Sequence, residues 1–159
     1  MSINAAALRV FPQIETGLFV RAAAWLAGVV TGSPVEAADG GWVFHFHGLP
    51  MLVSAACSAS DYWLLVTALL GWQLARVSDS PIRAGLAACL LAAPVAIAVN
   101  VARLATLAVA HRWLIPLAPD TYANVLHLLL GVSVFLPALI ALNALLDHRH
   151  ARLQSRAVS

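Results

Sequence analysis

Three side chains of unlike type and distant position, Cys57, Arg103 and His127, form the reactive set that stands out in this sequence. A thiol is a weak nucleophile until it loses its proton, and nearby positive charge favours the thiolate. Histidine can take that proton and later return it to a leaving amine. Arginine stays charged and can steady either the thiolate or the oxyanion of a tetrahedral intermediate. The chemistry to which the set is suited is acyl transfer through a thioester, for which no cofactor and no metal are needed. Asn100 lies one turn before Arg103 and Asn124 one turn before His127, so each can face the same space as a supporting residue. His45 and His47 would share one face of a strand and could offer two metal ligands, but no third is evident.

These residues can act together only if the fold brings them to one place, and composition says what sort of fold that is. The chain has 159 residues, 62% of them hydrophobic and 10% charged, with a mean hydropathy of +0.87. An average soluble domain is roughly a quarter charged, so the expected surroundings are a lipid bilayer. All nine basic side chains are arginine and none forms a block interleaved with aromatics, which argues against a nucleic-acid partner. No internal repeat or low-complexity linker divides the chain, so residues 1–159 are read as a single transmembrane domain.

A span needs about 20 mostly apolar residues to cross a hydrocarbon core of about 30 Å. Residues 58–75, 84–110 and 122–146 meet that need, with Pro94 a possible kink in the second. Trp63, Trp72, Trp113 and Tyr122 lie near the proposed ends, as an aromatic belt requires. Residues 17–34 form a weaker candidate carrying Arg21. It is read as a short first span rather than a cleaved signal peptide, because the stretch before Arg21 is long for one. The expected fold class is therefore an all-α polytopic membrane protein with about four transmembrane helices. Before the second span, the aromatic and β-branched run Trp42 to Val53, broken at Gly48-Leu49-Pro50, predicts a short outer hairpin or a re-entrant loop.

Arginine bias sets the orientation. Arg76 and Arg83 bracket one loop, and Arg149, Arg152 and Arg156 crowd the tail at residues 147–159. Two spans separate these regions, so both face the cytoplasm, in agreement with Arg9, and both termini are inside. On this map Cys57 sits where the outer loop enters the second span. Arg103 lies about 20 residues beyond Arg83, or about 30 Å of helix, and His127 lies about one turn into the last span. The three side chains thus converge at the outer face, although the map was drawn from hydropathy and charge alone. Cys89 falls in the opposite leaflet, too far from Cys57 for a disulfide. Asp61, one turn from Cys57, is expected to pair with Arg103 or His127 or to point away.

At these residues the chain resembles the exosortase/archaeosortase family of membrane cysteine transpeptidases. The resemblance rests on Val53-Ser54-Ala55-Ala56-Cys57-Ser58-Ala59, on Asn100-Val101-Ala102-Arg103, and on His127-Leu128-Leu129-Leu130-Gly131 with Phe135. It covers about residues 40 to 146. Many members carry glycine where this chain has Ala59, and larger members carry further spans before the core, so this would be a compact member. The resemblance implies an enzyme of the bacterial cytoplasmic membrane with its active site at the extracytoplasmic face. Its substrate partners would be membrane-anchored proteins whose C-terminal sorting signal joins a short motif, a transmembrane helix and a basic tail. Cys57 would attack the scissile carbonyl, His127 would serve as base and acid, Arg103 would stabilise negative charge, and the acyl group would pass to an amine or to water. Two other readings stand beside it: a non-enzymatic membrane assembly or scaffold protein whose polar residues join helices, and a metal or solute carrier using His45, His47 and His127.

Overall fold

The computed structural model describes residues 19–54, 57–76, 78–114 and 123–157, with the side chains of the last helix described for residues 125–149. Arg9, the beginning of the first expected span, Tyr122, and the side chains of Asn124, Arg152 and Arg156 lie outside the described residues. Helix α1 spans Arg21–Thr31, and strands β1 (Val35–Ala38), β2 (Gly41–Phe46) and β3 (Leu49–Ser54) follow. Helices α2 (Ser60–Ala75), α3 (Pro81–Trp113) and α4 (Ala123–Ala157) complete the order.

The architecture is mostly helical, with one small antiparallel sheet in the order β1-β2-β3. The hairpin alternative is the one adopted between Trp42 and Val53, with its turn at His47-Gly48 and the pairing Phe46↔Leu49 next to it. Both turn residues have positive φ, 48° at His47 and 82° at Gly48, as a tight two-residue connection requires. His47 therefore belongs to the turn and not to the strand, so the shared strand face expected for His45 and His47 does not form. β1 adds a third strand that the sequence reading lacked. It is a short, mostly exposed edge, and Val-Glu-Ala-Ala carries no alternation that would announce it.

Two helices, Pro81–Trp113 and the Val125–Arg149 part of α4, are long and apolar enough to cross a membrane. α1 has 11 residues and α2 has 16, about 16 Å and about 24 Å of helix against a core of about 30 Å. The beginning of α3 follows from local chemistry. The Ser80 side chain accepts from the Arg83 N–H and Pro81 fills the first turn, where a missing N–H costs nothing.

Packing centres on α3. Ala84, Ala88, Ala92 and Ala96 are all buried at four-residue spacing, so the backbone of α3 can approach α2 closely. Tyr62, Val66 and Leu70 of α2 fill the other side of that contact. Nearer the C-terminal end, Val101, Leu104 and Ala108 of α3 meet Ala23, Ala24 and Ala27 of α1 and the inward-facing Phe44 and Val53 of the sheet. The sheet is thus fastened to the same end of α3 that carries Arg103. α4 is different. Most of its apolar side chains are exposed, among them Leu128, Leu129, Val132, Leu136 and Ile140, as expected of a helix solvated by lipid tails.

Candidate active site

Cys57 occupies the short connection between β3 and α2. A backbone bond fixes this connection: Asn100 Nδ2 donates to the Cys57 carbonyl at 3.0 Å. Asn100 is fully buried, so the bond is shielded from water and loss of either partner would be costly. Asn100 therefore holds the backbone of Cys57 and does not line the cavity beside it. On the C-terminal side, the Ala59 carbonyl receives the Trp63 N–H at 2.7 Å and begins α2. Ala59 has φ −98°, so the position where the resemblance leads one to expect glycine demands no glycine-only conformation here. Asp61 is exposed in the first turn of α2, which makes pointing away the outcome among the expected alternatives.

Arg103 is buried on α3, and its Nε has no hydrogen-bond partner among the described residues. A buried guanidinium without a carboxylate partner is expensive. Two features of α4 make room for it. Its guanidinium carbon lies 5.2 Å from the centroid of the Phe135 ring, a cation–π arrangement. Phe135 in turn stacks on Tyr62 with centroids 4.7 Å apart. At Gly131 an added Cβ would come within 3.1 Å of Arg103 Nε, so the missing side chain leaves the space that the guanidinium uses.

Cys57, Arg103 and His127 line one cavity of about 360 Å³, together with Gly131, Val132 and Phe135. His127, Gly131 and Phe135 recur every four residues and share a face of α4. That spacing was visible in the sequence, although the ring-to-guanidinium contact was not. Val132 was missed because its side chain looked like one more lipid-facing residue. A second cavity of about 200 Å³ shares Cys57 and His127 and opens toward β3 and the C-terminal end of α3. The larger apolar cavity of the molecule lies elsewhere, between α2 and α4 near Asp147, and it holds no nucleophile. Cys89, on α3, is a free thiol like Cys57. Its carbonyl accepts from Trp63 Nε1 at 3.1 Å, a helix-joining contact.

A thiol, an imidazole and a guanidinium whose Nε has no partner among the described residues surround one space. A family model for transmembrane exosortases matches residues 5–144. The chain belongs to the transmembrane exosortase family. That membership and the two long apolar helices make it a membrane protein. No curated protein and no solved structure matches this exosortase. Among its described residues no group of three or more His, Cys, Asp or Glu side chains could hold a metal ion.

Proposed function

We propose that this exosortase is a cysteine transpeptidase or protease that cleaves a C-terminal sorting signal at the extracytoplasmic face of the bacterial cytoplasmic membrane. The observation that carries the reading is the joint lining of one cavity by Cys57, Arg103 and His127, residues contributed by three separate parts of the chain. In the reaction, Cys57 Sγ loses its proton to His127 and attacks the scissile carbonyl. The sulfur–carbon bond forms and a tetrahedral oxyanion develops, within reach of the Arg103 charge. His127 then gives the proton to the departing amine as the carbon–nitrogen bond breaks, leaving a thioester. An amine or water, deprotonated by His127, attacks the thioester and releases the thiol.

Four spans with both termini in the cytoplasm belong to the same proposal, with α1 and α2 as the shorter two. Arg76 and Arg83 at one end of the α2–α3 pair, with Arg149 at the corresponding end of α4, support this orientation by the positive-inside rule. The substrates are exported proteins held by a C-terminal transmembrane helix with a basic tail.

The test is processing, in cells, of an exported protein that ends in an apolar helix and an arginine-rich tail. Cys57→Ser should lower its cleavage by at least about a thousandfold while the variant inserts and folds as before. A membrane-impermeant thiol reagent should label Cys57 from outside in intact cells. Labelling only after permeabilisation, or cleavage that survives Cys57→Ser, sinks the reading.

A further inference from the structure

β3 is an edge strand whose free side runs beside the candidate nucleophile. In the order β1-β2-β3, β3 pairs only with β2 among the described residues. Four successive residues of β3, Pro50, Met51, Leu52 and Val53, line the cavity that also contains Cys57 and His127. Successive strand side chains point to opposite faces. Four in a row can therefore border one space only if that space lies along the strand's edge.

The register says which backbone groups reach that edge. The two-residue turn closes on the pair Phe46↔Leu49, so Leu49, Met51 and Val53 exchange bonds with β2, and Pro50, Leu52 and Ser54 turn outward. An independent bond agrees: the His45 N–H donates to the Pro34 carbonyl, on the β1 side, at 3.2 Å. His45 therefore turns away from its partner Pro50, as a non-bonded pair does. Pro50, which lacks an N–H, sits where no donor is needed for the sheet.

Beyond the edge, buried Leu104 and Leu107 of α3 form the apolar far wall, and exposed His111 stands at the rim. This cavity lies one to two turns C-terminal of Arg103 on α3. The cavity shared with Arg103 instead continues one to two turns C-terminal of His127 on α4. The proposed topology has α3 and α4 running in opposite directions, so the two spaces lie on either side of Cys57 along the membrane normal.

We propose that the free edge of β3 and this cavity bind the extended segment of a polypeptide that precedes the scissile bond. The segment adds to the sheet as a further strand, and the apolar side chain at the scissile carbonyl fills the space between Met51 and Leu107. The inference rests on the reading of Cys57 as the nucleophile. Main-chain bonds give the affinity and the cavity gives selectivity for an apolar side chain, as in other strand-addition sites.

The probes are chloromethyl ketones, which alkylate a reactive thiol with loss of chloride. One carries N-acetyl-leucine, a second carries a tetrapeptide ending in leucine, and a third is the tetrapeptide with its backbone amides methylated. Alkylation of Cys57 is followed by mass spectrometry on the full chain in lipid nanodiscs, in a Cys89→Ser background. The tetrapeptide should react about tenfold faster than N-acetyl-leucine, the worth of one or two added hydrogen bonds, and methylation should remove the gain. Leu52→Pro, which deletes an outward N–H, should slow the tetrapeptide about tenfold relative to N-acetyl-leucine, while Leu52→Ala, which keeps that N–H, should retain the tetrapeptide's advantage. Met51→Trp should erase the preference for a leucine over a glycine reagent.

Equal rates for the methylated and unmethylated tetrapeptides would falsify strand addition, and that comparison needs no variant to fold. A leucine preference erased by Val132→Trp instead of Met51→Trp moves the side chain to the other cavity and overturns the assignment. Alkylation of Cys57 without any length dependence rejects this proposal alone. A Cys57 that reacts with no chloromethyl ketone removes the nucleophile reading together with it.

Discussion

Among the described residues, two polar clusters lie in largely apolar helices, one toward each end of the α2–α3 pair, and they are built differently. Near the end of α2, buried Gln73 donates from Nε2 to Asp147 Oδ1 at 3.1 Å, and Asn143 Nδ2 donates to Asp147 Oδ2 at 3.2 Å. Both carboxylate oxygens are thus engaged by amides of the chain itself. At the other end, Asn100 spends its donor on the Cys57 carbonyl, and Arg103 Nε and Asn100 Oδ1 have no partner among the described residues. Buried Gln73 Oε1 has no partner among the described residues, but the charged group of this cluster, the Asp147 carboxylate, is held by the chain, and such a cluster joins helices. A cluster whose buried cation has no hydrogen-bond partner at Nε among the described residues, beside a cavity, retains bonding capacity for something that arrives, and the contrast supports the proposal that the chemistry is at Cys57.

The contrast can be broken by mutation, and after Cys57 the largest effect is expected at His127. His127→Ala should lower processing by about a hundredfold to ten-thousandfold, the usual range for a lost general base. An effect below about tenfold would assign the proton transfer to another group. Arg103→Gln keeps much of the side chain's bulk but removes the charge. Its cleavage rate should fall by about a hundredfold or more, with a thermal unfolding midpoint equal to or above that of the parent because an unpaired buried charge has gone. A lower midpoint with normal cleavage would make Arg103 a structural residue.

Asn100→Ala leaves the Cys57 carbonyl without its donor. Stability should drop by about 1–3 kcal/mol, and cleavage should fall with it as the connection carrying Cys57 loosens. Measured together by thermal unfolding and processing, the two losses distinguish a positioning residue from one acting only on the fold. The smallest effect belongs to the opposite cluster. Asp147→Asn should cost less than about 1 kcal/mol at this exposed site and leave cleavage unchanged. A large loss of activity there would erase the distinction between the two ends.

Much of this arrangement was readable because hydropathy and arginine bias act over whole segments. They set the lengths of α3 and α4 and put Cys57, Arg103 and His127 at one depth before any contact was known. Contacts between particular groups were not readable. Asn100 looked like a second cavity residue, since a sequence does not encode that its partner is a backbone carbonyl far along the chain. Gln73 and Asp147 carry no signal of their contact in the sequence, because headgroup-facing and helix-joining side chains are of the same types. β1 escaped notice because a strand whose side chains are mostly exposed leaves no hydrophobic period. The alanines of α3 at four-residue spacing on one face form the seam against α2.

The exposure of α4 has a practical consequence. α1, the sheet, α2 and α3 bury one another, but α4 rests on them with little of its apolar surface covered, and the bilayer supplies the rest of its surroundings. Phospholipid is in that sense a structural component holding the imidazole of His127 opposite the thiol. Purification in a harsh, delipidating detergent is then expected to leave the α1–α3 body folded while separating His127 from Cys57. Inactivity in such a preparation would reflect the solvent and not the chain, and activity should return on transfer to lipid.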